Sequence, residues 1–509
     1  MNRRKFLKNI GLITGAGAVS LSIAGIPVNA FARPLMNIKS LNGKILVLLQ
    51  FKGGNDGLNT VIPFEDSIYY NKRQSIGISK DSVVKLNSLM GLHPSLQPIK
   101  TLYDEGVLSI IQGVGYANQN RSHFRSTDIW LSASDANQYL YDGWAGRYLS
   151  EVFPDYPSIP PEHPMAIQLG SVQSLVLESQ FGGMGVTFQD PNVFYQLVNG
   201  ISSDLDPSPD TLAGEELKFL KEVAAMSIQY ANVIKERADA SQNKVTYPAT
   251  NLGTQLAVIA DLIAGGLTTP VYLATLDGFD THANQLTSHS NLLKTFADAV
   301  KSFQEDLRLL GIADKVVTMT FSEFGRRLQQ NGSLGTDHGA AAPMILIGNN
   351  VLGGFVGSNP DLSNLDSNGD IKYQFDFRQV YATLLVDHLG FPESEIKEIF
   401  YKDIETLPLI KGTTNVTYNS LPSEYELTQN YPNPFNPETA INFTLPYAGF
   451  VKLKVFDVLG KEITTLVNEY INPGSYSVSF NAQNLSSGTY FYSIEANGFR
   501  EVKKMTLIK

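Results

Sequence analysis

Asp280 and His282 stand two residues apart in Asp277-Gly278-Phe279-Asp280-Thr281-His282. On an extended backbone, residues at that spacing point the same way, so both can reach one cation. Asp337 and His338 are adjacent and point apart, which predicts one direct ligand and one partner that orients it. Asp56 ends the run Gly53-Gly54-Asn55-Asp56, and Glu323 opens Glu323-Phe324-Gly325-Arg326-Arg327. Ser122, His123 and Arg125 sit together in Asn118-Gln119-Asn120-Arg121-Ser122-His123-Phe124-Arg125, where a helix is expected to start near His123. This chemistry is that of carboxylates, imidazoles and a hydroxyl around a cation. The chain has no cysteine, which excludes thiolates, zinc–thiolate sites, iron–sulfur clusters and disulfides. Each cluster also has a plain structural reading: a turn at 53–57, a helix cap at Ser122, a loop hydrogen bond at 280–282, a salt-bridged loop at Glu323. His93, His163, His289 and His388 belong to no cluster and read as structural or exposed.

Four of the five clusters follow apolar runs. Ile45 to Leu49, Val107 to Ile111, Val271 to Leu276 and Val316 to Phe321 read as buried strands, and Met344 to Ile347 as a fifth. Helical spacing from Asn251 to about Ala264 and from about Asn291 to Leu310 separates some of them. Strand, crossover helix, strand predicts an α/β fold: a mostly parallel sheet with helices on both faces. Such sheets hold ligands beyond the carboxyl ends of their strands. Asp56, Asp280, His282, Glu323 and His338 are therefore expected to meet in one metal-sized cleft, although the Asp337-His338 cluster lies before its strand and not after it.

The 509 residues are 43% apolar and carry 39 Lys and Arg against 49 Asp and Glu, a net charge of -10. That sign argues against nucleic acid as a partner. Asn2-Arg3-Arg4-Lys5-Phe6-Leu7-Lys8, a weakly apolar run to about Ala24 and Ala30-Phe31-Ala32 form an export signal over 1–32 that resembles the twin-arginine type. No other stretch is long enough for a transmembrane span, so the mature chain is expected to have none. From about residue 423 short alternating strands predict a small C-terminal antiparallel β-sandwich over 423–509, leaving 33–422 for the α/β domain. Gln429-Asn430-Tyr431-Pro432-Asn433-Pro434-Phe435-Asn436-Pro437, the strands after it and the final Lys504 to Lys509 resemble the type A C-terminal sorting domain of the type IX secretion system of Bacteroidetes. The N-terminal resemblance implies the twin-arginine translocase as a partner and the C-terminal one the type IX secretion machinery, with a secreted or cell-surface location reached via the periplasm.

The set Gly53-Gly54-Asn55-Asp56, Ser122-His123-Phe124, Asp280-Thr281-His282, Ser322-Glu323-Phe324-Gly325-Arg326 and Asp337-His338-Gly339 resembles the domain-of-unknown-function 1501 family. That family is similar in turn to the alkaline phosphatase and sulfatase superfamily. The resemblance implies an alkaline phosphatase-like fold with one or two divalent metals (Zn, Mg or Ca), and an activated hydroxyl that attacks a phosphate or sulfate ester. Carried over by residue, it makes Asp56, Asp280, His282, Glu323, Asp337 and His338 the metal set, and Ser122 the nucleophile with His123 and Arg125 as catalytic neighbours. Two positions depart from the pattern: Phe324 stands where a histidine ligand often follows, and the Asp280/His282 spacing is short. Without cysteine a formylglycine made from Cys is unavailable, which favours phosphate over sulfate. The implied function is an exported, metal-dependent hydrolase acting on an anionic ester at the cell surface or outside the cell. The alternative is a non-catalytic metal- or glycan-binding surface protein on the same fold.

Overall fold

The structure, a computed structural model, describes residues 21–23, 26–28, 43–156, 159–199, 212–412, 424–446, 449–471, 474–483 and 485–508. Most of the expected export signal at 1–32 lies outside the described residues. Within that unit, Met1–Ser40, two short strands, Leu21–Ile23 and Ile26–Val28, pair antiparallel.

Continuous apolar runs form strands because both faces of the sheet they enter are covered. In chain order these are β1 (Ile45–Lys52), β2 (Leu108–Gly115), β3 (Ala166–Leu169), β4 (Val186–Phe188), β5 (Val271–Asp277) and β6 (Val316–Ser322). A hairpin of β7 (Arg326–Gln330) and β8 (Thr336–His338) follows, then β9 (Ala342–Ile347), β10 (Gly354–Val356) and β11 (Phe375–Asp376). The nine-stranded sheet has the order β4-β3-β5-β1-β6-β9-β2-β10, with β11 also on β2. All pairings are parallel except those of β9, which runs against β6 and β2.

The reversed strand explains the cluster that precedes its run. Because β9 is antiparallel, its amino end lies where its neighbours have their carboxyl ends, so the hairpin leading into it reaches the same edge as the loops after β1, β5 and β6.

Alternation along β1 sorts the two faces. Ile45, Val47, Leu49 and Phe51 pack into one core with α3 (Asn251–Ala264) and α4 (Gln285–Leu309). The start of α3 is fixed by Thr250, whose hydroxyl accepts the Gly253 N–H at 3.1 Å. On the other face lie α2 (His123–Ser132) and α5 (Phe377–Thr383), where Trp130 stacks on Phe377 with ring centroids 4.5 Å apart and also faces Phe321 of β6. A single short turn, α1 (Gly57–Thr60), follows β1.

The C-terminal residues form two antiparallel sheets: β12 (Glu426–Leu427) and β13 (Glu438–Leu445) with β16 (Gly474–Asn481), and β14 (Gly449–Phe456), β15 (Glu462–Ile471), β17 (Gly488–Ala496) and β18 (Phe499–Leu507). Alternate residues of β13, including Ile441, Phe443 and Leu445, enter a shared core with Leu453, Val455, Tyr492 and Met505. This is the expected sandwich. No helix among the described residues is long and apolar enough to cross a membrane.

Candidate metal centre

Two glycines let the site form. Gly53 and Gly54, which follow β1 directly, have φ of 117° and 81°. A Cβ on Gly53 would lie 2.3 Å from the Asp280 nitrogen, and one on Gly54 2.2 Å from the Phe324 ring. The loops after β1, β5 and β6 thus meet by close approach, beyond what a turn alone requires.

Into the gap between them Arg326, 1% exposed, sends its guanidinium. It donates to the carbonyls of Gly54 at 2.7 Å, Thr336 at 2.9 Å and Phe279 at 3.0 Å, to that of Gly53, and to Asp280 Oδ1 at 2.7 Å. One buried cation therefore ties three loops together and fixes a carboxylate oxygen.

Three imidazoles surround that oxygen. The Nε2 atoms of His123, His282 and His338 lie 3.3, 3.1 and 3.4 Å from Asp280 Oδ1. His282 Nε2 and His338 Nε2 are 2.8 Å apart. Ligand atoms of His123, Asp280 and His338 all fall within 4.8 Å of one another.

Each ring's other nitrogen has an acceptor. His338 Nδ1 is 2.7 Å from the Arg121 carbonyl, which can only accept, so Nδ1 carries the proton. His123 Nδ1 donates to Glu323 Oε1 at 2.9 Å, and His282 Nδ1 lies 3.4 Å from Asp337 Oδ1. These partners leave three Nε2 lone pairs aimed at an anionic oxygen and, for two of them, at each other. His123 Nε2 is buried without a hydrogen bond. Lone pairs facing a carboxylate repel unless a cation sits among them, so the donor set fits a metal ion.

Electrostatics agree. Burial raises the Asp280 pKa, but the Arg326 hydrogen bond and charge, with His123 and His282, outweigh it and hold the carboxyl below its usual range. Burial pushes the His338 pKa down, against the hydrogen bond to Arg121. Both are thus in their ligand forms at neutral pH.

The outer partners are themselves anchored. Glu323 Oε1 also accepts the Gly53 N–H at 2.9 Å, and Arg121 Nε donates to the buried Asp370 at 2.8 Å. The Phe324 ring packs against His123 and His338 at 4.9 and 4.4 Å between centroids, an apolar floor where a further ligand was the pattern's alternative.

The structure thus brings together Asp280, His282 and His338, with Glu323 and Asp337 behind the histidines. His123, read from the sequence as catalytic, presents a ring nitrogen to the same oxygen. Asp56 is elsewhere: its carboxylate is fully buried, caps α1 through the N–H groups of Leu58 and Asn59, pairs with Arg73 at 2.6 Å and accepts from Gln285. With every lone pair engaged it has none for a metal. Arg125 is also turned away, donating to the carbonyls of Asp135, Ala136 and Gln138 and stacking on Tyr139, so it is not available to hold an anion. Ser122 occupies the cap position of α2, exposed, but its hydroxyl makes no capping bond. Sequence reasoning missed Arg326 as the organiser and Arg121 as a carbonyl acceptor. The first could have been suspected from the arginine pair that follows Gly325 in a strand-end cluster; the second left no signal.

Of the remaining histidines, His163 bonds Thr268, while His93, His289 and His388 are buried. His289 Nε2 donates to Asn55 Oδ1 and His388 Nε2 to the Ile45 carbonyl, both at 2.9 Å. Burial lowers the pKa of His93 to about 4, His289 to about 3 and His388 to about 4. Above about pH 6.5 these rings are neutral folded or unfolded. Below it the unfolded chain takes up protons that the fold refuses, so this stability is lost as pH falls from about 6.5 toward 4. Each pKa unit is worth about 1.4 kcal/mol per histidine. Urea midpoints of the chelator-treated protein are therefore expected to drop steeply between pH 7 and 5, and an unchanged midpoint would contradict neutral burial.

No curated protein matches the chain. The family model described as "Protein of unknown function (DUF1501)" matches residues 231–397, a stretch that holds Asp280, His282, Glu323, Asp337 and His338 but not His123. The model described as "Secretion system C-terminal sorting domain" matches residues 429–509. Among solved structures, the chain is similar to PorZ, a surface component of the type IX secretion system of Porphyromonas gingivalis, at 16% identity over 20% of this chain and 14% of that one, with a TM-score of 0.13. It thus spans about a seventh of that protein's length. A sulfatase from Pseudoalteromonas sp. aligns at 11% identity over 88% of this chain and 86% of its own, TM-score 0.32. A protein of the alkaline phosphatase superfamily from Vibrio parahaemolyticus aligns at 9% over 87% and 81%, TM-score 0.32. The DUF1501 match is confined to residues 231–397, and the match at residues 429–509 is to a secretion-system C-terminal sorting domain, which addresses the protein to the cell surface or the medium.

Proposed function

We propose that the chain is an exported metal-dependent hydrolase of phosphate or sulfate esters, working outside the cell. The observation that carries this is the convergence of three Nε2 lone pairs on one Asp280 oxygen. A set of imidazoles and one carboxylate suits zinc; calcium and magnesium prefer oxygen. Zinc bound there supplies polarisation of an ester oxygen and eases loss of a proton from a hydroxyl or water.

The residues divide the work. Glu323, Asp337 and the Arg121 carbonyl hold the histidine tautomers, and Arg326 fixes Asp280. The amino end of α2, a ten-residue helix, offers backbone N–H groups to an anion, and Ser122 there has a hydroxyl uncommitted to capping. Ser122 is the proposed nucleophile, with water as the attacking group if Ser122 serves only to bind. The proposed route runs through the twin-arginine translocase and the type IX machinery, with the mature enzyme covering about 33–422.

A second reading, a non-catalytic metal- or glycan-binding surface protein, is favoured by one observation: His123, the imidazole next to Ser122, points its free nitrogen Nε2 at Asp280 Oδ1 within the metal cluster, at 3.3 Å, where it serves as a ligand and not as a base for Ser122. One experiment separates the two. Protein recovered from outside the cell is analysed for mass and metal and then given aryl phosphates and sulfates. The hydrolase reading expects about one zinc and turnover that Ser122→Ala lowers by at least about 100-fold with zinc retained. Bound zinc with no turnover of any ester would make the binding protein the better reading, and absence of zinc would end both metal readings.

A further inference from the structure

Beside the metal cluster a cleft of about 540 Å³ runs between α2 and the sheet, with His123, Asp280 and Glu323 at one end. That volume suits a ligand of one or two rings. Its floor follows from alternation along β1: Leu46 and Leu48 are fully buried, and the next residue of the row, Gln50, is only 3% exposed. Gln50 lines the cleft, and its amide has no hydrogen bond to any described residue. The same holds for the hydroxyls of Thr127 and Thr275 and for the carboxylate of Asp128, which also line it. Amide, hydroxyls and carboxylate thus present both donors and acceptors to whatever enters.

Between them are apolar surfaces. Leu131 and Leu273 form part of the wall, and Phe124, 87% exposed, stands at the mouth one residue from His123. An aryl or alkyl group would leave the buried Gln50 amide unpaired, at a cost of about 1–3 kcal/mol. A second anionic group would face Asp128 with Lys52 as the only Lys or Arg among the described residues of the lining, and Lys52 already lies 3.6 Å from Asp277. A pyranose ring meets both demands: hydroxyls around its edge, and C–H faces that pack on leucine and stack on phenylalanine.

We propose that this cleft binds a neutral saccharide unit, the alcohol half of an ester whose anionic group lies at the metal cluster. The ester half of the statement rests on the function proposed above; the saccharide site does not. The test is saturation-transfer NMR on the zinc-supplemented protein, using the methyl glycosides of glucose, galactose, mannose, fucose and N-acetylglucosamine, with phenol and cyclohexanol as ring probes that carry a single hydroxyl. At least one glycoside is expected to bind, and Gln50→Leu and Phe124→Ala each to weaken it by about tenfold or more, with zinc content unchanged. Gln50→Leu continues the leucine row and Phe124 is exposed, so both variants are expected to fold, which circular dichroism and zinc content report. No bound glycoside, phenol binding as well as the best glycoside, or unaltered binding in both variants would overturn the proposal. Glycoside binding without hydrolysis of any sugar phosphate or sulfate would leave the saccharide site standing and defeat the hydrolase reading instead.

Discussion

His338→Ala is expected to lower zinc affinity by more than about 100-fold, beyond the 10- to 100-fold typical of losing an outer partner. Its ring supplies one of three converging Nε2 atoms, and its Nδ1–H is fixed by the Arg121 carbonyl, so alanine removes a ligand that the fold holds already oriented. The side chain is 21% exposed, so its removal should hardly alter the urea midpoint of chelator-treated protein. Metal analysis and chelator competition read the first quantity, and denaturation the second. Glu323→Gln provides the comparison. It keeps the shape but lets an amide face His123 Nδ1, and is expected to cost about 10- to 100-fold. If His338→Ala retained zinc with unaltered affinity, the ring would not be a ligand, and the convergence of nitrogens would need another cause.

The parallel sheet was legible because most of its longer strands are clear apolar runs and the helices α3 and α4 show clear spacing. The Asn251–Ala264 helix matches the sequence reading at both ends. What could not be read was that β9 runs backwards, since a run such as Met344 to Ile347 carries no sign of direction. That reversal brings His338 to the common edge. The sequence also could not separate ligands from their partners. Glu323, Asp337, Asp280 and Asp56 are all acidic residues at strand ends, and what tells them apart is which oxygen a buried arginine or imidazole occupies. Only the folded distances, such as that from His123 to Glu323, 200 positions further along the chain, reveal it.

Asp56→Ala is expected to cost about 3–5 kcal/mol of stability while the folded protein still binds one zinc. Both side chains of the Asp56–Arg73 pair are fully buried, at 2.6 Å. Burial raises the Asp56 pKa, but the charge and hydrogen bond of Arg73, then His289 and Gln285, outweigh it and hold the carboxyl below its ordinary 3.8. Its contribution is therefore present above that value and lost as pH falls through the lower folded one, so the loss on mutation is full at pH 7. Removing the carboxylate leaves Arg73 charged and buried with the Asn59 amide oxygen and the Leu328 and Arg327 carbonyls as remaining partners. Gln285 would also lose the acceptor that anchors it, although its Oε1 still takes the hydroxyl protons of Thr336 and Thr281, on the two loops that carry His338 and Asp280. Asp56→Asn, which keeps an oxygen for the α1 amides but removes the charge, should fall between. Urea denaturation measures the cost, and zinc per folded molecule decides the role. A metal ligand at this position would lose zinc before stability, whereas a buried anchor loses stability first.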